Sequence, residues 1–246
     1  KKASYLSKFH ATDAEIIEFC DILISVGGDG TMLKNSKKYG MKGKPILGIN
    51  LGTLGFLTDI QIEDLESRLI DVLKGNYVLD KRSFLQASID SKKINSTALN
   101  EIVLHSGSVA KMIEFSLFID NRFVYSQKAD GLIIFSPTGS TAYSLSGGGP
   151  LVDPELNVIG IMPMFPHSIK TTPILISDDK KIRIELNSTP NKGSELSFDS
   201  HKNIKLKQNS VLEISKSKHM LSLVHPLDDD FFLRCRNKLG WGKSIT

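Results

Sequence analysis

Apolar positions in the first part of the chain follow two rhythms. Ile22-Leu23-Ile24-Ser25-Val26 is a short apolar run that stops at Gly27-Gly28-Asp29-Gly30-Thr31. Pro45-Ile46-Leu47-Gly48-Ile49-Asn50 is a second such run, followed by Gly52, Gly55 and Phe56. Runs of this length bounded by glycine predict buried strands. Between them, Thr31 to Tyr39 predicts a helix, and Glu15 to Phe19 reads as the end of another. Ile62, Leu65, Leu69, Val72 and Leu73 recur at helical spacing, and Gly75 closes that helix. Strand–helix alternation implies parallel strands joined by crossover helices. Ligands of such sheets lie beyond the C-terminal ends of the strands, where Gly27 to Gly30 and Asn50 to Gly55 fall.

Near Ser83 the rhythm changes to alternation. Ile113, Phe115, Leu117 and Ile119 share one face of a strand, and Asp120-Asn121 turns the chain into Phe123-Val124-Tyr125. Ile182 to Leu186, Ile204 to Leu206, Val211 to Ile214 and Leu221 to Val224 follow, with polar turns between them. The expected fold is an α/β N-terminal domain with a parallel, Rossmann-like sheet, plus a β-rich, sandwich-like C-terminal domain. Residues 1–92 form the first domain, with a helical tail in 226–246 packing back on it. Residues 93–225 form the second.

Composition removes several classes. Forty per cent of the 246 residues are hydrophobic, enough for a core that needs no disulfide or metal staple. The two cysteines, Cys20 and Cys235, sit near opposite ends, with neither a disulfide framework nor a zinc spacing. A cytoplasmic protein is expected. No apolar run approaches the ~18 residues of a membrane span, and Lys1 to His10 lack the apolar core of a signal peptide. The chain begins abruptly without Met, so a preceding segment is expected to be missing. The formal net charge of +4 comes from scattered lysines with little aromatic interleaving. That balance suits a small anionic substrate rather than nucleic acid.

Two stretches carry candidate chemistry. A strand that ends in glycines and opens a helix lets backbone approach an anion and offers it the unpaired N–H groups of the helix start. Asp29 would repel phosphate, so its place there points to chemistry: accepting a proton from an attacking hydroxyl, or helping to hold a metal carried in by phosphates. The competing reading of Asp29-Gly30 is a hairpin turn, but Thr31 to Lys38 does not alternate as a returning strand must. Neither standard glycine fingerprint is present after this strand.

The second stretch is Asp130 to Pro150. A strand ends at Ser136-Pro137, and a hydroxyl-rich turn opens a short helix. Six serine and threonine hydroxyls close together suit a polyhydroxylated or phosphorylated ligand; equally, they suit a capped helix followed by a glycine loop. Asn100-Glu101 could grip ribose hydroxyls or form a polar strand edge. Asp199 and His201 form a hairpin turn or contact ligand. His167 reads as a loop histidine, and the six histidines give no spaced metal pair.

Together these segments resemble the NAD kinase family. The matching stretches are Gly27 to Thr31, Gly48 to Ile60, Asn100-Glu101, Asp130 to Pro150, Phe165 to Ser168 and Arg236 to Gly242, in the family's order. Pro137-Thr138-Gly139-Ser140-Thr141-Ala142-Tyr143-Ser144-Leu145-Ser146 is the most specific of them. The resemblance implies transfer of phosphate from ATP, or in some members polyphosphate, to the adenosine 2′-hydroxyl of NAD, with Mg²⁺ or another divalent metal and no dedicated protein site for it. It implies Asp29 as the catalytic carboxylate, and Gly27, Gly28, Gly30 and Thr31 at the donor phosphates. It places Asn100 and Glu101 on the adenosine, with Ser136, Thr138, Thr141, Ala142, Tyr143, Ser146 and His201 around the dinucleotide and Phe56 and Leu57 alongside. By the same resemblance Asp130 and the stretch after Pro163 are expected to reach a neighbouring subunit's site, implying a homodimer or homotetramer. The chain departs from the family's pattern at three places. Thr53 and Thr172 stand where Arg is usual, and Ser200 stands where Gly is usual after Asp199.

Two rivals share part of this pattern. A lipid kinase of the diacylglycerol kinase type has the glycine–aspartate loop, but it would want an apolar acyl entry where Asp130 to Pro150 is polar. A dinucleotide sensor without turnover gains nothing from a carboxylate beside phosphate.

Overall fold

The structure, a computed structural model, describes residues 10–52, 55–58, 60–107, 111–167, 171–188 and 193–242. It divides into two compact units, Lys1–Lys81 with His219–Thr246, and Arg82–Lys218.

The first unit opens with α1 (Asp13–Phe19), started by a reciprocal cap in which Thr12 and Glu15 each bond the other's backbone N–H. Strand β1 (Leu23–Val26), helix α2 (Asp29–Lys38), β2 (Ile46–Asn50), β3 (Ile60–Gln61) and α3 (Leu65–Leu73) follow. All pairings among these strands are parallel, with Leu23 beside Ile46 and Ile49 beside Ile60. Strand β2 is buried throughout, because β1 lies on one side and β3 and the Leu223–Val224 segment lie on the other. Leu47, Ile49, Ile60, Val72 and Val224 make one core cluster, with Leu65 and Leu69 packed on it.

Three local expectations are corrected. Strand β1 is the outer strand among the described residues, so Ile24 and Val26 are exposed rather than buried. Helix α2 starts at Asp29 and not at Thr31, since a carboxylate in the first turn is favoured by the helix dipole. Residues Ile62–Asp64 form a 3₁₀ turn before α3, so the helical spacing begins one turn late.

In chain order the next strands are β4 (Tyr77–Ile89), β5 (Lys92–Ala98), β6 (Glu101–His105), β7 (Ile113–Ile119), β8 (Arg122–Ala129) and β9 (Gly131–Phe135). A 3₁₀ turn at Thr138–Thr141 and the short helix α4 (Tyr143–Ser146) follow. Then come β10 (Val158–Met164), β11 (Ile174–Ser177), β12 (Ile182–Ser188), β13 (Ser194–Phe198), β14 (Lys202–Leu206) and β15 (Val211–Pro226). The second unit contains an antiparallel sheet in the order β11-β10-β9-β6-β13-β14. Its inner residues, among them Leu104, Ile134, Ile161 and Phe198, share one core with Phe115, Ile184 and Ile214 of β7, β12 and β15. This is two-layer sandwich packing. Asp120 and Asn121 have φ of 48° and 62°, the paired left-handed residues of a tight hairpin, as the sequence predicts.

Strand β15 is continuous where the sequence suggests two strands. Within the polar stretch Ser215 to Lys218, Ser217 is buried and Lys216 pairs with Asp178 at 2.5 Å. The final helix α5 (Phe231–Leu239) belongs to the first unit and is capped by Asp230, whose carboxylate accepts the Leu233 N–H at 3.0 Å. Burial pushes the Cys235 thiol on this helix up, away from the reactive thiolate form. Among the described residues no helix is long and apolar enough to cross a membrane.

Candidate functional site

In the first unit, β1 delivers the chain to Gly28, the N-cap of α2, and Asp29 opens the helix. Both oxygens of the Asp29 carboxylate are held. Oδ2 accepts the Phe56 N–H and Oδ1 the Leu57 N–H, each at 3.0 Å. The Thr58 hydroxyl donates to Oδ1 at 3.4 Å, and the Lys238 ammonium to Oδ2 at 3.3 Å. The loop that presents these donors is itself fixed. Asn50 Oδ1 accepts the Gly52 N–H at 2.7 Å, and Asn50 Nδ2 reaches the Thr58 carbonyl at 3.5 Å. Gly55 permits the approach, since a Cβ there would lie 2.2 Å from Asp29 Oδ1.

The glycines around Asp29 divide. The Gly27 N–H donates to the Ile49 carbonyl and the Thr31 N–H to the Gly28 carbonyl. Asp29 and Gly30 are the first residues of the helix and have no carbonyl one turn back to bond. Gly28 and Gly30 are exposed, and a Cβ on either would meet nothing within 4 Å. Phe56 and Leu57, expected beside the dinucleotide, are buried, and their backbone serves Asp29.

In the second unit three distant segments meet. The buried Asp199 carboxylate accepts the N–H groups of Leu99 and Asn100 at 2.9 Å and of Glu101 at 3.0 Å. On the other side the Ser136 hydroxyl donates to the Leu99 carbonyl at 2.5 Å and accepts the Gly139 N–H at 3.2 Å. The Ser136 N–H donates to the Asn100 carbonyl at 2.9 Å. Gly139 is needed because a Cβ there would lie 2.1 Å from that same carbonyl oxygen. Asn100 and Glu101 are thus clamped between the strand-end turn and the β13–β14 hairpin, with Glu101 buried.

The hydroxyl-rich run does mostly internal work. Ser140 bonds both the N–H and the carbonyl of Val152, Ser144 donates to the Gly139 carbonyl, and Thr141 donates to the Thr138 carbonyl. Thr138 accepts from the buried Arg82 at 3.2 Å. Ser136, Thr138, Ser140 and Ser144 are buried, Thr141 and Ala142 are half-buried, and Tyr143 and Ser146 are exposed. Tyr143 lines two hollows of this unit. One, of about 630 Å³, also takes in Asp130, Glu195 and Ser200. The other, of about 420 Å³, takes in Ser146, Met162 and Phe165. His201 turns its Nδ1 to within 2.5 Å of the Asp199 carbonyl, so it closes its own turn.

The sequence reading missed the clamp made by Asp199, the loop-fixing role of Asn50, and Lys238. Ser200 has φ of 56°, a left-handed position that accounts for the glycine expected there. Thr172 is exposed. Thr53, Leu54, Asp59 and Ser168, which belong to the matching stretches, lie outside the described residues. Among the described residues no group of three or more His, Cys, Asp or Glu comes together to hold a metal.

Comparison with known proteins agrees with this arrangement. Residues 1–77 match the ATP-NAD kinase N-terminal domain and residues 99–226 the ATP-NAD kinase C-terminal domain. The NAD kinase of Marinobacter nauticus is 43% identical over 232 residues, 93% of this chain and 79% of that one. The NAD kinase of Azotobacter vinelandii is 42% identical over 231 residues, 93% of this chain and 78% of the other. Among solved structures, yeast NADH kinase complexed with NADH superposes with a TM-score of 0.86 at 27% identity, covering 96% of this chain and 71% of the yeast one. An NAD kinase from Archaeoglobus fulgidus in complex with ATP gives 0.75 at 29% identity, covering 99% and 93%.

Proposed function

The chain belongs to the NAD kinase family of phosphotransferases, and from that premise we propose that Asp29 is the base that takes the proton from the 2′-hydroxyl of NAD's adenosine ribose. The observation that supports this is the double backbone grip on its carboxylate. Two N–H groups at 3.0 Å fix both oxygens, so the group is positioned before substrate arrives. Phosphoryl transfer asks the protein mainly for such positioning and for charge neutralisation. The hydroxyl oxygen forms the new P–O bond, its proton passes to Asp29, and the bond from the transferred phosphorus to the donor's leaving oxygen breaks.

Donor phosphates are assigned to the open backbone at Gly28 to Gly30, where the helix start favours an anion. The clamped Asn100 and Glu101 take the adenosine ribose, because a half-buried amide and a buried carboxylate matched to hydroxyls would reject analogues that lack them. Tyr143, Ser146 and Asp130 border the remainder of the dinucleotide. Mg²⁺, which prefers oxygen ligands and keeps several waters, suits the donor's own phosphate oxygens, where it would neutralise their charge. A cytoplasmic homodimer or homotetramer is part of the same reading. Sedimentation velocity distinguishes the two assemblies from a monomer.

The test is to incubate the protein with NAD, Mg²⁺ and either ATP or polyphosphate, and to measure NADP with an NADP-specific dehydrogenase. NADP is expected with ATP, and the polyphosphate arm decides whether that donor also serves. Asp29→Asn is expected to bind NAD as before and to lose turnover by about 10²–10⁴-fold, the range of general-base contributions. Unchanged NADP formation in Asp29→Asn would remove it as the base.

A further inference from the structure

Lys238 lies in the last turn of α5, where a cation is already favoured by the helix dipole. That accounts for a lysine but not for where this one goes. Its ammonium reaches 209 positions back along the chain to Asp29 Oδ2, at 3.3 Å. It also stands 4.4 Å from the centre of the Phe56 ring, while the Phe56 N–H binds the same carboxylate oxygen. Lys238, Phe56 and Asp29 thus form one cluster within the first unit.

The contact to Asp29 is loose. A settled ammonium–carboxylate bond is about 2.7–2.9 Å long, and the Lys238 side chain is still 32% exposed. The two backbone donors cannot leave the carboxylate without moving the loop, but a side-chain ammonium can. The Phe56 ring keeps it near the carboxylate by a cation–π contact that does not need Asp29. The ammonium is therefore free to turn toward a second anion without leaving the cluster. The open helix start at Gly28 to Gly30, next to Asp29 in sequence, is where such an anion is assigned.

We propose that Lys238 is a catalytic cation of the phosphoryl transfer, resting against Asp29 and facing the donor's terminal phosphate in the reacting complex. This rests on the kinase reading above. Lys238 stays protonated throughout and exchanges no proton. Its ammonium balances charge on the phosphoryl oxygens while the new P–O bond forms and the old one breaks, a task for which a preorganised positive group is worth most at the transition state.

The experiment compares Lys238→Met, Lys238→Arg and Lys238→Ala with the parent chain, each checked for an unchanged melting temperature. Lys238→Met is expected to lower kcat about 100-fold, the cost of removing one stabilising donor, and to raise KM for ATP several-fold while KM for NAD stays within about twofold. Lys238→Arg should recover most of the loss, and added ethylammonium should restore part of the Lys238→Ala rate. Arginine would also restore a structural ion pair, so a purely structural residue is told apart by an unchanged KM for ATP in Lys238→Met and by the absence of ethylammonium rescue. Parental kcat and ATP KM in Lys238→Met overturn the proposal, as does a loss that arginine and ethylammonium both fail to repair. A readout without turnover separates this from failure of the kinase reading. Calorimetric binding of inorganic triphosphate should weaken in Lys238→Met and return in Lys238→Arg, whatever the acceptor. Equal binding in the parent and Lys238→Met counts against the proposal even if no NADP forms.

Discussion

Asp199 holds the backbone N–H of Asn100 at 2.9 Å across 99 positions of sequence. The same carboxylate takes the N–H groups on either side of it, those of Leu99 and Glu101. The β13–β14 hairpin therefore fixes the backbone of the residues assigned to the adenosine ribose, although Asp199 itself is buried.

Removing this carboxylate should cost both stability and binding. In Asp199→Ala three N–H groups lose their acceptor, and each stranded buried donor costs roughly 1–3 kcal/mol. Urea unfolding is expected to show a loss of at least about 3 kcal/mol, and the folded fraction should have a raised KM for NAD with a smaller change in KM for ATP. Asp199→Asn keeps one acceptor oxygen and should fall between the two. An Asp199→Ala protein with the parental urea midpoint would show that these bonds hold nothing.

Two glycines separate the functions of the two units. In Gly139→Ala the new methyl meets the Asn100 carbonyl at 2.1 Å, and in Gly55→Ala it meets Asp29 Oδ1 at 2.2 Å. Overpacking of this kind costs about 1–3 kcal/mol and moves what it strikes. Gly139→Ala is expected to raise KM for NAD about tenfold, and Gly55→Ala to lower kcat by a similar factor with KM for NAD little changed. Gly28→Ala is the steric control, since its methyl meets nothing within 4 Å and the melting temperature should hold. Identical kinetic profiles for Gly55→Ala and Gly139→Ala would contradict the division of roles.

Local chemistry made much of this readable in the sequence. The strand that ends at Gly27, the tight turn at Asp120-Asn121 and the strand-to-helix turn after Phe135 each depend on residues within a few positions of one another. The hydroxyl run shows where such reading stops. Its composition suggested ligand contacts, yet Ser140 and Ser144 spend their hydroxyls on Val152 and Gly139 to hold the turn. Asp199 was legible as a hairpin or ligand-contacting acid and Lys238 only as part of the Arg236 to Gly242 stretch, because their partners lie 99 and 209 positions away. Strand β15 runs on through Ser215 to Lys218, but that stretch is polar, so the apolar pattern that marks a strand breaks there.

Tyr125 supplies a pH signature of the sandwich core that does not depend on the catalytic assignment. It lies on β8, packs against the main core of the second unit and meets the Phe115 ring edge-on at 6.5 Å between centres. Burial disfavours the phenolate and pushes the hydroxyl from 10.0 up to about 12. A folded-state value above the unfolded one means the native protein holds this proton more tightly. The resulting stability is fully present below pH ~10 and is lost as pH rises through about 12. A shift of about 2 units corresponds to roughly 2–3 kcal/mol. Absorbance titration at alkaline pH should show one tyrosine ionising late, and Tyr125→Phe should remove that step. Over the same range the parent's unfolding free energy should fall relative to Tyr125→Phe, which has no proton to lose. A late step that persists in Tyr125→Phe would assign it to another of the five tyrosines and undo the link between this ring's burial and the alkaline limb.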